Sequence, residues 1–61
     1  MKYVLFREDH KAHREVYIED VHEGKISITE TPREAIPFTN AREAYEFGGY
    51  WGLDSWRAGQ R

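Results

Sequence analysis

Residues 14–30 read Arg14-Glu15-Val16-Tyr17-Ile18-Glu19-Asp20-Val21-His22-Glu23-Gly24-Lys25-Ile26-Ser27-Ile28-Thr29-Glu30. Residues 14–20 and 25–30 alternate apolar and polar side chains with period two and are rich in β-branched residues, so both are predicted strands. His22-Glu23-Gly24 lies between them and supplies the reversal. A three-residue loop with Gly24 in the left-handed conformation sets Ile18 opposite Ile28 and Val16 opposite Glu30. A two-residue Glu23-Gly24 turn sets Ile28 against Glu19 instead, and one residue of slip sends a strand's apolar set to the other face. The three-residue loop is therefore expected, with Val16, Ile18, Ile26 and Ile28 sharing one buried face.

On the N-terminal side of this hairpin, residues 2–7 form a strand that is apolar on both faces: Tyr3 and Leu5 on one, Val4 and Phe6 on the other. Both faces need cover, and Tyr17, pointing away from the isoleucines, supplies part of it. Residues 8–13 join this strand to the next as an antiparallel hairpin. The outcome is a three-stranded meander.

On the C-terminal side the period changes. Thr31-Pro32-Arg33-Glu34 is a capping box with proline at the first helical position. Pro37 pushes Ile36 away from helical angles and limits the element to one turn. A second capping box, Asn40-Ala41-Arg42-Glu43, restarts the chain. Ala41, Ala44, Phe47 and Trp51 follow at helical spacing with Tyr45 and Gly48 beside them, while Arg42, Glu43 and Glu46 take the opposite side. Gly48, Gly49 and Gly52 would each cost about 1 kcal/mol inside a helix. The helix is predicted to end within residues 47–50 on a left-handed glycine. Residues 54–59 then suit one last helical turn, capped by Asp54 and stopped by Gly59. The expected fold is a single small α+β domain over residues 1–61: a three-stranded antiparallel meander sheet with one main C-terminal α-helix packed on one face.

With 61 residues, the core is worth roughly 3–5 kcal/mol net. The chain has no cysteine, which excludes disulfides and thiolate zinc sites and fits a reducing compartment. No apolar run approaches the ~20 residues that span a bilayer, and the apolar stretch at the N-terminus is too short for a signal peptide. A cytoplasmic protein without a membrane partner is expected. Residues 15–46 hold eight acids and three bases, so the basic stripe that nucleic-acid binding leaves is missing. The acidic middle reads as a solvated sheet and helix surface.

Tests for chemistry return little. His10 and His13 flank a turn, and His22 lies at the far end of the following strand, roughly 25–30 Å away at ~3.3 Å per residue, so the three do not form one metal site. Ser27 and Ser55 lack a nucleophile-elbow context, and no glycine loop stands between a strand and a helix start to hold phosphate. The expectation is a non-enzymatic protein with no catalytic residue, cofactor or metal. Aromatics remain. Phe47 and Trp51 fall on the buried stripe of the helix, whereas Tyr50 and Trp56 exceed what one sheet and one helix can enclose. Tyrosine, tryptophan and arginine are enriched at binding hot spots. Tyr50, Trp56 and Arg57 are therefore the candidate contact patch for a protein partner or a second copy of the chain. Two alternatives stand beside it: a nucleic-acid-associated regulator stacking bases on these aromatics with Arg57 and Arg61 on phosphate, and a self-associating structural subunit.

Thr31, Pro32, Ala35, Phe38, Thr39, Glu43 and Ala44 together resemble a passage of small phage- or prophage-encoded accessory proteins. In these, short strands lead through a T-x-x-P/D-x-x-A-x-x-F passage into a T-x-x-E-A helix. The likeness spans residues 29–47, with one extra residue between Thr39 and Glu43 that shifts the cap to Asn40. The resemblance implies a protein that works by binding a host or phage protein, as inhibitor or adaptor, and carries over no site residue.

Overall fold

Residues 2–61 are described by a computed structural model. Strands β1 (Tyr3–Asp9), β2 (Arg14–His22) and β3 (Lys25–Thr29) form the meander. A single 3₁₀ turn (Pro32–Glu34), helix α1 (Ala41–Tyr50) and a further strand, β4 (Arg57–Gln60), follow. The sheet has four strands in the order β3-β2-β1-β4, every neighbouring pair antiparallel. The α+β class stands, but the three-stranded, C-terminal-helix version does not: α1 is internal, and residues 54–59, expected as a last helical turn, form a turn at Asp54-Ser55 and most of β4. Local propensity loses here because β1 offers a second edge, and pairing Tyr3–Phe6 with Arg57–Gln60 satisfies backbone groups on both sides. Gly59 suits that place, since a Cβ there would lie 2.7 Å from Phe6 Cε1.

The β2–β3 hairpin combines features of both expected registers. The turn is the two-residue Glu23-Gly24 form, with φ of 53° and 77° at its two positions, and it pairs His22 with Lys25 and Val21 with Ile26. A β-bulge at Glu19 then absorbs one residue, so Ile18 still meets Ile28. Val16, Ile18, Ile26 and Ile28 do share one face, joined by Val21. Only Val16 and Ile18 are buried, because the isoleucines of β3 sit on the edge strand.

Beyond Phe6 and Tyr17, β1 no longer pairs with β2. Residues 36–38 occupy the gap. Ile36 N–H donates to Ile18 O at 3.0 Å, and Phe38 exchanges two backbone bonds with Tyr3, at 2.8 and 3.1 Å. Pro37, which stops the preceding helical turn, thereby leaves extended backbone that plugs a split sheet. Lys2 Nζ ties the same segment down by donating to Arg33 O and Ala35 O at 3.1 and 3.2 Å.

Both sheet faces carry apolar packing. Under α1 lie Leu5, Val16, Ile18, Phe38, Ala44, Leu53 and Trp56. On the reverse face Val4, Tyr17 and Ala35 pack with Phe6, so Tyr17 does cover the second face of β1. Asn40 caps α1, its Oδ1 accepting from Glu43 N–H at 2.8 Å; the Glu43 carboxylate reaches back to Thr39 N–H at 3.3 Å. Helical structure runs through Gly48 and Gly49. Gly52, at φ 72°, then turns the chain: Leu53 N–H donates to Gly48 O at 2.7 Å and Gly52 N–H to Gly49 O at 3.4 Å. No helix among the described residues is long and apolar enough to cross a membrane.

Candidate functional site

Four aromatic rings lead from the core to the surface along one flank of α1. Phe38, buried at the end of the segment that plugs the sheet beside Tyr3, lies 5.2 Å from Phe47. Phe47 is 6.4 Å from Trp51, and Trp51 meets Tyr50 edge-on at 4.9 Å. Tyr50 is 80% exposed and Trp51 38% exposed. The inner rings are held by packing, so the outer two are presented from a fixed base at the helix end. Large flat side chains ordered in this way lose little entropy when a partner covers them.

The three residues singled out from the sequence do not come together. Tyr50 is exposed at the end of α1. Trp56 is a core residue, 9% exposed, with Leu5 and Leu53 in its cluster and the Arg7 guanidinium 5.1 Å from its ring centroid. Arg57 is exposed and belongs to the reverse face of the sheet, where it pairs with Phe6. There it lines a cleft of about 440 Å³ with Phe6, Glu8, His10, Glu15 and Ser55. The core and surface roles expected of Trp51 and Trp56 are thus exchanged. The reason is β4: once residues 57–60 pair with β1, the preceding Trp56 must enter under Leu53, and Trp51 is left at the helix cap.

The strongest polar cluster is on the reverse face. Glu15 accepts from Arg61 Nε at 3.1 Å, from Arg61 Nη2 at 2.9 Å, and from the Tyr17 hydroxyl at 3.0 Å. The same guanidinium stacks 4.2 Å from the Phe6 centroid. Hydrogen bonding from Arg61 holds the Glu15 carboxyl below its ordinary pKa, and burial followed by the bond to Glu15 pushes the Tyr17 hydroxyl up. Both shifts move the groups away from neutral pH, the reverse of what general acid–base work requires. The cluster works as a clamp that pins the chain after β4 across the sheet, helped by Arg61 N–H donating to Lys2 O at 3.0 Å.

His10 lies 3.4 Å from Glu8 and His22 3.9 Å from Glu23, each on an exposed turn. Among the described residues no three His, Cys, Asp or Glu side chains gather within reach of one metal ion. In the passage that carries the expected resemblance, most of the named side chains have folding roles. Pro32 starts the 3₁₀ turn, Ala35, Phe38 and Ala44 are buried, and Glu43 closes the cap. No protein-family model, curated protein or solved structure matches the chain.

Proposed function

We propose that the chain is a non-enzymatic protein-interaction module whose contact surface is the C-terminal end of α1, with Tyr50 and Trp51 as the principal contacts. The observation that supports this reading is the aromatic series ending in an almost fully exposed tyrosine. A core this small has every energetic reason to bury such a ring, yet it presents Tyr50 to solvent. Exposed aromatic patches on small domains mark interaction sites. The resemblance over residues 29–47 suggests a host or phage protein as the kind of partner. Phosphate binding has less support, because Arg61 is taken by Glu15 and Arg57 is on the opposite face from Tyr50.

The test is affinity capture from the native host's lysate with the wild-type chain, Tyr50→Ala and Trp51→Ala in parallel, circular dichroism confirming that the variants fold. Loss of the same captured protein in Tyr50→Ala, at an unchanged unfolding midpoint, is expected. Equal capture by both variants and the wild type would remove this surface from consideration. Binding that collapses between low and moderate salt would point to phosphate contacts.

A further inference from the structure

We infer that β3 is a self-pairing edge, through which two copies of the chain join their sheets in antiparallel register about a two-fold axis at Ser27. This does not rest on the Tyr50–Trp51 surface; it follows from the hydrogen-bonding geometry of the hairpin.

In an antiparallel ladder, residues alternate between turning their backbone groups toward one neighbour and toward the other. His22 and Lys25 flank the two-residue turn and bond to each other, so Lys25, Ser27 and Thr29 turn inward to β2. Ile26 and Ile28 turn their N–H and C=O groups outward. The Ile18 carbonyl confirms the phase. Ile18 is paired with Ile28, yet its carbonyl accepts from Ile36 on the side away from β3. β3 is the last strand of the sheet, and no backbone bond among the described residues engages Ile26 or Ile28 from outside.

The side chains on this edge fit a second copy. Natural sheets guard such edges with short strands, lysine, proline, inward charges or bulges. β3 is five residues long with Lys25 at its hairpin end, but it carries no proline or inward charge along residues 26–29, and the hairpin's bulge is on β2. Ile26 and Ile28 are 45% and 48% exposed on the α1-bearing face. A two-fold axis normal to the sheet keeps that face common to both copies. It allows only registers in which each residue meets a partner of the same facing. Centred on Ser27, the register sets Ile26 against Ile28 of the second copy and Ile28 against Ile26, all four with outward backbone groups. The result is two mutually bonded pairs beneath a continuous row of four isoleucines. Lys25 then faces Thr29 of the second copy and Gly24 faces Glu30, whose charge is already paired with Arg14 of its own chain. No like charges oppose.

Ser27 itself sits on the axis opposite its own copy, as a pair that does not exchange hydrogen bonds. Such Cα atoms are about 4.5 Å apart, inside the ~4.4–6.8 Å span of a disulfide. The chain is free of cysteine, so a single introduced thiol reports on one contact. The experiment is sedimentation of the full chain from roughly 10 µM to 1 mM, a range suited to a small interface, beside oxidation of Ser27→Cys, Lys25→Cys and Ser55→Cys with oxidised glutathione. The expected result is mass rising from 7.3 kDa toward twice that value, and Ser27→Cys cross-linking at least tenfold faster than either control. Ser27→Lys, which is exposed and paired with Asp20 in the monomer, should fold normally yet stay monomeric, because two lysines would oppose on the axis. A chain that remains monomeric across the range overturns the inference. So does a dimer in which Ser27→Cys cross-links no faster than Ser55→Cys.

Discussion

Three glycines within five residues, Gly48, Gly49 and Gly52, should respond to alanine with opposite signs. Gly49 is helical and exposed, and a Cβ built on it meets nothing within 4 Å. Replacing it removes the backbone-entropy cost of glycine, so Gly49→Ala should stabilise by about 0.5–1 kcal/mol. Gly48 is buried against β1, but an added Cβ would sit 3.8 Å from Leu5 Cδ1 and from Leu53 Cβ, ordinary contact distances. Gly48→Ala should therefore stabilise by a similar amount, about 1 kcal/mol, with no steric penalty to offset the gain. Gly52 has the same open surroundings as Gly49 but a φ of 72°. Alanine there must adopt the left-handed conformation that closes the helix, at a cost of about 1–2 kcal/mol. In a domain of this size 1 kcal/mol moves the midpoint by about 4–8 °C. Thermal unfolding followed at 222 nm should thus place Gly48→Ala and Gly49→Ala above the wild type and Gly52→Ala below it. A destabilised Gly49→Ala would mean that α1 stops before Gly49. An unaffected Gly52→Ala would mean that the chain does not turn at that residue.

Further outcomes follow from the caps, the core and the clamp. Asn40→Ala removes the 2.8 Å cap bond to Glu43 N–H and should cost about 1 kcal/mol in urea unfolding. Trp56→Ala empties a buried site and should cost about 3–5 kcal/mol, enough to abolish cooperative unfolding in so small a core; Trp51→Ala, at the half-covered helix cap, should retain a transition. Because Arg61 lowers the pKa of Glu15, the stabilisation is present above the ordinary value of 4.5 and is lost as pH falls through the lowered value. Both partners are partly exposed, so solvent screening limits the effect to ~1 kcal/mol or less. Glu15→Gln should flatten the acid limb of urea midpoints recorded from neutral pH downward. Tyr17 acts at the other end: its raised pKa means that stability declines as pH climbs past 10.0, and Tyr17→Phe should remove that decline.

What could be read from the chain alone was local. Period-two alternation located β2 and β3, the Asn40–Glu43 pair located the start of α1, and the two faces of Tyr3 to Phe6 showed that β1 needs cover on both sides. The register was half legible. Glu23-Gly24 contains the signal for a two-residue turn, while the isoleucines demand the pairing of a three-residue loop. Glu19 resolves the conflict by bulging, and nothing about a glutamate in an alternating run announces that. β4 was the main loss. Residues 57–60 are Arg-Ala-Gly-Gln, without one β-branched or aromatic side chain, and they become a strand because β1 has an open edge within reach. That long-range event also reversed the assignment of the tryptophans. The spacing of Trp51 from Phe47 puts it on the buried stripe only if the helix continues, and the cap ends the helix before Trp51 can be covered.

The exposed isoleucines follow from the same geometry. A ten-residue helix is about 15 Å long and about 10 Å wide, and strands repeat every ~4.8 Å. One such helix therefore shields about two strands of four. α1 packs over β1 and β4, since the tight turn at Gly52 returns the chain directly to β4. Ile36 and Phe38 extend the cover as far as β2, where Ile18 is fully buried. Nothing among the described residues remains to shield β3, yet its inner face is written with isoleucine, the residue a packed strand uses. Had this edge only to meet water, threonine would serve the same β-structure at lower cost in solubility. The apolar choice at Ile26 and Ile28 fits a sheet that continues past β3.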